Sequence, residues 1–340
     1  MLIRHRVYLI SAGLVAVLVA IGATAPNRFR EVAEATLNTL GHYFGWFYLI
    51  STFVFVIFLL ALAMSRYGKI RLGPQDCKPD YGVFSWLSML LSAGFGVGLV
   101  FYGMAEPIQH LMEPPHGQAE PGSTAAASLA MQYSFFHWGV SQWAAFSLVG
   151  LIIAFFQFRK DRPGLVSTMV EPVTKNLPKR QLISDSLDVL AVLATVMGVA
   201  TSLGLGVLQM NGGLETVFGW PDNLWSKVAI LGAMFLCYMA SSYSGLDKGI
   251  RLLSNLNMGL CLGFMGYMLF TGPTVLILDN FVNGLGNYLG NFINMALNIP
   301  PFEKSDWMNR FTLFYWAWVI AWSPFVGTFV ARISRGRTIT

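Results

Sequence analysis

The chain has 340 residues, of which 55% are hydrophobic and only 11% are charged. Average soluble domains carry about 25% charged residues, so a soluble protein of this composition would lack the charge to cover its surface. The net charge of +5 resides in loops and does not indicate a nucleic-acid partner, and the three cysteines show neither a disulfide framework nor a metal-site spacing.

Eight apolar runs are each near or above the roughly 20 residues that a helix needs to cross a bilayer. They predict membrane spans at 7–25, 43–65, 82–104, 124–157, 186–210, 227–244, 255–278 and 310–331. The fourth run is long, which favours a tilted or projecting helix. The first run also imitates a secretory signal, but its length favours a retained helix.

The basic residues of the loops predict the orientation of the chain. Most of the 22 Lys and Arg residues fall on one side of the spans, and the other side holds only Arg28, Arg30, Lys227, Lys304 and Arg310. Cytoplasmic loops carry the excess of basic residues. We therefore expect a multi-pass protein of the inner (plasma) membrane, embedded in the lipid bilayer, with a cytoplasmic amino terminus.

Residues 279–309 differ from the membrane spans. Asparagine recurs every three or four positions from Asn280 to Asn298, while Phe281, Leu285 and Leu289 occupy other faces. This pattern predicts an amphipathic helix that lies at the outer surface of the membrane.

Three glycines fall within five residues in the middle of the third span, at Gly94, Gly96 and Gly98. Each costs a helix interior up to about 1 kcal/mol relative to alanine, so we expect the helix to loosen or unwind there. Unwound backbone at membrane depth is tolerated where it lines a cavity, and its carbonyl groups can then coordinate a cation. Close helix packing through small residues is the alternative.

Aromatic residues crowd the eighth span, which reads FTLFYWAWVIAWSPFVGTFVA at 311–331. Trp316, Trp318 and Trp322 fall within two helical turns, and no charged residue lies among them. The face of an indole ring attracts a cation. An uncharged group of indoles is therefore suited to hold a quaternary ammonium group inside a membrane.

The fourth span adds Trp138, Trp143 and Phe146, of which the last two share a helix face at i and i+3. For any single ring, an ordinary core or lipid-facing position is the alternative. All 22 basic and 17 acidic residues can be placed in a loop or near the end of a span. Because a buried ionisable group would mark an ion or proton path, this absence predicts a site built from dipoles, hydroxyl groups and rings.

Three motifs, in this order, resemble those of the betaine/carnitine/choline transporter family. They are GFGVGLVFYGMAEP at 94–107, FHWGVSQWAAF at 136–146, and FYWAWVIAWSPFVG at 314–327 followed by ARISRGRT. The resemblance runs from about the second span to the last residue, and it implies an all-α integral membrane protein with a leucine-transporter-like inverted-repeat fold.

The resemblance also implies the organisation of the chain. Residues 1–81 would form two helices outside the repeats, and residues 82–278 would form the first five-helix repeat. Residues 279–309 would form the external linker helix. Residues 310–340 would form the first helix of the second repeat and a cytoplasmic loop. The chain stops one helix into the second repeat, so we expect an incomplete fold that lacks four further spans.

The site residues follow from the same resemblance. A tryptophan cage would consist of Trp138, Trp143, Phe146, Trp316, Trp318 and Trp322, and the backbone of Ala93, Phe95 and Gly96 would add to the substrate site. A sodium site would involve Ser92 and Phe95, and a second one Thr195, although Val199 replaces its other hydroxyl residue. Many relatives have tyrosine at the position of Phe146 and tryptophan at that of Val319, so the pocket is reshaped here.

The expected function is that of a secondary active transporter, not an enzyme. It would import a quaternary-ammonium zwitterion, such as glycine betaine or a choline-like osmolyte, for osmoprotection. Sodium is the expected coupling ion, because glycine at the position of Gly98 goes with sodium in the family and aspartate with protons. No cofactor or metal centre is expected; the osmolyte, the bilayer and copies of the chain in a homotrimer are the expected partners.

Four alternatives stay open at this point. Two are transporters of the same family: a proton-coupled choline transporter and a sodium-independent exchanger. The third is a membrane enzyme, which would need a nucleophile, an acid–base pair or metal ligands at a membrane face. The fourth is an osmotic or ligand sensor without transport.

Overall fold

The computed structural model describes residues 2–245, 249–300 and 306–340, and for residues 2–5, 94–97 and 99 it describes the backbone alone. Helices make up most of this part of the chain. Within it, one isolated antiparallel bridge between Arg71 and Thr338 is the only β-type pairing. The predicted all-α class is confirmed, whereas the inverted-repeat fold stays a prediction.

The α-helices are numbered in chain order. They are α1 (Leu2–Thr24), α2 (Pro26–Met64), α3 (Val83–Met112), α4 (Thr124–Trp138), α5 (Val140–Arg159), α6 (Val166–Thr174), α7 (Arg180–Phe218), α8 (Leu224–Tyr243), α9 (Arg251–Thr271), α10 (Thr274–Leu297) and α11 (Phe314–Ile333). A short π-helical turn, Asn309–Leu313, leads into α11.

Seven helical stretches of the described chain are long and apolar enough to cross a membrane. They are Arg6–Thr24, Pro26–Met64, Thr124–Arg159, Arg180–Phe218, Leu224–Tyr243, Arg251–Thr271 and Asn309–Ile333. These match seven of the eight predicted spans. The other predicted span, 82–104, falls on α3, where the apolar stretch Val83–Ala93 precedes residues that are described by their backbone alone.

The glycine segment does not unwind. Helix α3 continues through Gly94, Gly96 and Gly98 and ends only at Met112, so the expected local unwinding is wrong. Glycine weakens a helix by at most about 1 kcal/mol per residue. Opening backbone hydrogen bonds in apolar surroundings costs several kcal/mol per group, and this larger penalty keeps the helix intact.

Two predicted helices have different ends from those expected. The fourth span is broken at Gly139, where the backbone leaves the helical conformation (φ −86°, ψ −146°) and α5 begins. The amphipathic helix starts at Thr274, after a break at Gly272, and ends at Leu297. Residues 301–305 of the predicted 279–309 segment lie outside the described residues.

The chain divides into two compact units that cut across the predicted segments. The first consists of Met1–Asp80, Phe136–Gly198 and Asn291–Thr340, and the second of Tyr81–Phe135 and Val199–Gly290. Part of the predicted first repeat therefore packs with the amino-terminal helices and with α11. The assignment of repeats itself stays a prediction.

In the first unit, α5 is the central helix and packs against both α2 and α11. One stripe of α2 is buried, and it begins with Gly41 and Gly45. A Cβ atom on Gly45 would lie 2.9 Å from Cδ1 of Leu313. Small residues thus let the start of α11 approach α2 closely, as is common between helices in membranes.

Backbone hydrogen bonds join two segments of the first unit beyond the end of α11, and we call this contact the backbone clamp. Residues 68–72 and 336–340 exchange hydrogen bonds, among them Leu72 N to Arg337 O at 2.8 Å. The Arg71 guanidinium donates to the carbonyl of Gly336 at 3.1 Å, and that of Arg159 donates to the carbonyl of Arg71 at 3.2 Å. The clamp therefore ties the ends of α2, α5 and α11 together.

In the second unit, hydrogen bonds between polar side chains link α9 to α3 and α10 to α4. Asn255 Nδ2 donates to Ser85 Oγ at 3.1 Å, and Asn287 Nδ2 donates to Ser128 Oγ at 3.0 Å. The recurring asparagines of α10 are thus used partly for packing, whereas the sequence pattern suggested a face turned to water.

Candidate functional site

Glycines bring α5 and α11 into backbone contact. A Cβ atom on Gly327 would lie 2.9 Å from the backbone nitrogen of Gly150, and one on Gly150 would lie 2.9 Å from Cγ1 of Val330. No larger side chain fits between the two helices at this level. The contact fixes the register of the aromatic residues that precede it on both helices.

Five of the six predicted cage residues form one ring cluster, consisting of Trp138, Trp143, Phe146, Trp318 and Trp322. Trp318 and Trp322 are stacked, with centroids 6.1 Å apart and planes 8° from parallel. Trp138 meets Trp318 edge to face at 6.4 Å, and Phe146 meets Trp322 in the same way at 6.4 Å. Trp143 packs against Phe146 at 6.2 Å.

The ring cluster is only partly shielded. Phe146 is buried, whereas Trp138, Trp143, Trp318 and Trp322 are half-buried. Charged residues are absent from 136–158 and from 311–331, the two sequence stretches that supply the cluster. The accessible ring faces are therefore the source of negative potential that these two stretches offer to a cation.

Trp316 does not join the ring cluster. It is fully buried, and it meets Phe136 at 5.4 Å and His137 at 5.9 Å, both edge to face. Two residues along a helix correspond to a rotation of about 200°, so Trp316 and Trp318 cannot face the same way. Helical geometry thus separates a residue that the sequence motif had grouped with the others.

His137 has a packing role at the end of α4. Its ring stacks on Tyr315 at 4.7 Å, and its Nε2 is hydrogen-bonded to Thr312 Oγ1 at 2.9 Å. The side chain is fully buried. These contacts hold the end of α4 against the start of α11, just beside the ring cluster.

Three further residues support the ring cluster and were not predicted from the sequence. Tyr315 meets Trp138 edge to face at 5.6 Å, and Phe325 stacks on Trp322 at 6.4 Å. A Cβ atom on Gly198 of α7 would lie 3.0 Å from Cδ1 of Trp322. The two rings could have been found from their spacing of three residues from Trp318 and Trp322, whereas no sequence signal marks Gly198.

Two of the helices that form the ring cluster each carry a polar atom that has no hydrogen-bond partner within the described chain. On α11 it is the indole Nε1 of Trp322, and on α5 it is the amide Oε1 of Gln142, a residue that is only 4% exposed. Buried polar groups in native proteins are nearly always hydrogen-bonded. One donor and one acceptor on these two helices therefore still lack a partner.

The predicted ion-site residues are distributed over both units. Ser92 and Ala93 lie on α3 in the second unit, where Ser92 Oγ accepts a long hydrogen bond from Asn257 at 3.4 Å. Phe95 and Gly96 are among the residues that are described by their backbone alone. Thr195 lies in the first unit and donates its hydroxyl proton to the carbonyl of Ala191 at 2.7 Å.

One ionisable pair is buried in the second unit, contrary to the sequence-based expectation. Glu106 and His110 are both fully buried on α3, with His110 Nε2 3.1 Å from Glu106 Oε1. The expectation was wrong because the predicted span ended at residue 104, whereas α3 continues to Met112. The spacing of four residues places both side chains on one face of the helix.

Comparison with known proteins settles the family. The model of the betaine/carnitine/choline family transporters matches residues 6–340. The chain belongs to this transporter family. With its seven apolar helices, it is a multi-pass membrane protein, and the resemblance that the three motifs indicated is confirmed.

Three named transporters are similar to this chain over most of its length. It is 52% identical to the ectoine/hydroxyectoine transporter of Virgibacillus pantothenticus over 337 residues, which is 99% of this chain and 67% of the relative. It is 45% identical to the glycine betaine transporter OpuD of Bacillus subtilis (strain 168) over 343 residues, 99% of this chain and 66% of that protein. The high-affinity choline transport protein of Escherichia coli (strain K12) is 40% identical over 305 residues, 89% of this chain and 45% of that protein.

The chain thus spans about two thirds of the length of the first two relatives and less than half of the third. All three are named as transporters and none as an enzyme, in agreement with the prediction. Their names differ in substrate, so the substrate class has to be argued from the site.

Proposed function

We propose that the protein containing this chain imports a small zwitterionic osmolyte together with sodium and holds its cationic head on the indole faces of Trp318 and Trp322. The proposal depends on the stacking of these two indoles, whose centroids are 6.1 Å apart, and on their edge-to-face contacts with Trp138 and Phe146. Such ring faces suit a bulky cationic head, of which a quaternary ammonium group is the standard example.

Ring faces, rather than a carboxylate, are the groups that the ring cluster offers to a cation. A cation over an indole face is stabilised by about 0.5–1 kcal/mol when exposed and about 2 kcal/mol when desolvated. The sequence stretches that form the ring cluster contain no Asp or Glu. A zwitterion is electrically neutral as a whole, so the site needs no compensating charge.

The indole N–H of Trp322 supports a substrate with a carboxylate group. This donor has no acceptor within the described chain. A carboxylate would accept a charge-assisted hydrogen bond from it, a stronger bond than one between neutral groups. The stacked indole pair would then bind both ends of a zwitterion, with the cation on a ring face and the carboxylate on the N–H group of Trp322.

Sodium coupling rests on the family pattern at Gly98 and on two hydroxyl groups. The Thr195 hydroxyl donates its proton to the helix backbone, and the Ser92 hydroxyl accepts a long bond of 3.4 Å. Both oxygens keep lone pairs that a cation could use. The inner-membrane location, the cytoplasmic amino terminus and the homotrimer belong to the same proposal.

Uptake measurements test this function. Cells without osmolyte transporters of their own, producing the intact protein, should accumulate radiolabelled glycine betaine only when sodium is present. Replacing Trp318 and Trp322 by leucine removes about 1 kcal/mol per ring, so affinity should fall about 30-fold. Trp46→Leu, a substitution of an exposed tryptophan on α2, is the matched control. Uptake that ignores sodium, or an affinity that the double substitution leaves unchanged, would refute the proposal.

A second candidate substrate class is a zwitterion with a cyclic amidinium head. It is favoured by the 52% identity to a transporter named for ectoine and hydroxyectoine. It is also favoured by Phe146 and Val319, both buried, at the positions where many relatives have tyrosine and tryptophan. Replacing the tryptophan by valine leaves more room and fewer ring faces for a trimethylammonium group.

A further inference from the structure

We propose that Gln142 is a specificity-determining residue, which selects substrates whose cationic head carries an N–H donor. This inference rests on the proposed function and narrows its substrate class. Glycine betaine has no N–H group, whereas a cyclic amidinium has two.

The position of Gln142 on α5 directs it toward α11. Gln142, Phe146 and Gly150 follow each other at intervals of four residues and so share one helix face. The other two members of this face touch α11, because Phe146 contacts Trp322 and Gly150 approaches Gly327. The face that carries Gln142 is therefore the one that packs on α11.

The level of Gln142 along α11 follows from its neighbours in sequence. Gly150 of α5 lies at the level of Gly327 of α11, and about one turn earlier on both helices Phe146 contacts Trp322. One further turn back brings Gln142 to the level of Trp318. In this register its amide lies beside the stacked indole pair on which the cation is proposed to rest.

The amide oxygen of Gln142 lacks a partner within the described chain, although the residue is only 4% exposed. A buried acceptor left unpaired costs about 1–3 kcal/mol. A ligand that donates a hydrogen bond to this oxygen removes that cost. A ligand that lacks a donor and covers the oxygen leaves the cost in place, and sites of this kind reject such analogues strongly.

Two unpaired groups together define the ligand. The Trp322 indole N–H needs an acceptor and the Gln142 oxygen needs a donor, and neither has a partner among the described residues. A carboxylate attached to a cation with an N–H group supplies both. Of the two candidate substrate classes, the cyclic amidinium carboxylate therefore satisfies both groups, and glycine betaine, which has no N–H group, is the weaker ligand.

The test compares two probes on the intact, purified protein by tryptophan fluorescence. Ectoine serves as the amidinium carboxylate and glycine betaine as the zwitterion without a donor. Gln142→Met keeps the length of the side chain and removes the acceptor. It should weaken ectoine binding about tenfold or more, as expected for a hydrogen bond to a charged group, and change glycine betaine binding less than about twofold. Gln157→Met, on the same helix, should change neither.

The unmodified protein offers a second test that needs no variant. An N,N′-dimethylated amidinium carboxylate keeps the charge and has no N–H group, so it should bind about tenfold more weakly than ectoine. Equal binding of the two would overturn the assignment of Gln142.

The outcomes separate this inference from the function it rests on. A protein that binds neither ectoine nor glycine betaine overturns the proposed function and the inference with it. A protein that binds both, with Gln142→Met changing both affinities equally or not at all, overturns the role of Gln142 alone. Gln142→Met could also leave the ratio of the ectoine and glycine betaine affinities unchanged while raising the sodium concentration needed for binding. That result would show that the Gln142 oxygen is an ion ligand, and it would also overturn the proposal.

Discussion

Gly198→Ala tests whether the position of Trp322 sets the affinity for substrate. A Cβ atom at residue 198 would lie 3.0 Å from Cδ1, 3.3 Å from Cγ and 3.5 Å from Nε1 of Trp322. Carbon atoms in contact prefer separations of about 3.5–4.0 Å. The indole therefore has to move by about 0.5–1 Å away from α7.

A displacement of this size should change the binding affinity more than it changes the stability of the fold. A misplacement of about 1 Å can cost about 100-fold in the rate of an enzyme, and for one of several binding rings we expect about a tenfold loss of affinity. Alanine gains up to about 1 kcal/mol over glycine in helix propensity, which offsets the steric cost. The unfolding midpoint should stay within about 3 °C of the original value.

Binding of glycine betaine to the intact protein, followed by tryptophan fluorescence, provides the assay. Gly204→Ala is the matched control, because it lies on the same helix and its added Cβ would meet no described atom within 4 Å. An unchanged affinity in Gly198→Ala, or an equal loss of affinity in both variants, would refute the idea that the position of the Trp322 ring determines the affinity.

Three further predictions concern packing and orientation. Thr312→Val removes the hydrogen bond to buried His137 and should destabilise the protein by about 1–3 kcal/mol, measured as a lower thermal midpoint. Gly327→Val places atoms against the backbone of Gly150 and should abolish the yield of monodisperse protein. Cys77, in a predicted cytoplasmic loop, should react with a membrane-impermeant maleimide only after the cells are permeabilised.

Each of these experiments has a control in the same chain. Thr36→Val removes an exposed hydroxyl that bonds only to its own helix and should be nearly neutral, and Gly259→Val enters open space. The labelling uses a background in which Cys237 and Cys261 are serine. Losses no larger than those of the controls would contradict the packing predictions, and labelling of intact cells would contradict the orientation.

The membrane helices could be predicted from the sequence because hydropathy and length determine them directly. The break at Gly139 could not, since one glycine between two apolar stretches leaves the hydropathy unchanged. The continuity of α3 was mispredicted for the opposite reason. Three glycines carry a strong local signal, but the backbone hydrogen bonds of a helix in apolar surroundings outweigh it.

The candidate site was predictable as a set of residue types and not as an arrangement. The ring cluster contains five of the six rings expected from the family motifs, and the sixth, Trp316, is excluded by the angle between residues two apart on a helix. Gln142 and Gly198 could not have been found in this way. An acceptor without a partner and a glycine beneath an indole are properties of packed helices, which no local pattern encodes.

The central claim is that indole faces hold the positive charge of the substrate. It is tested most directly by competition between glycine betaine and 3,3-dimethylbutanoate, which keeps the shape and the carboxylate but has a neutral tert-butyl head. If the rings bind the cation, the neutral analogue should compete about 30-fold more weakly than glycine betaine. Equal competition by the two compounds would show that shape alone is recognised and would contradict the claim.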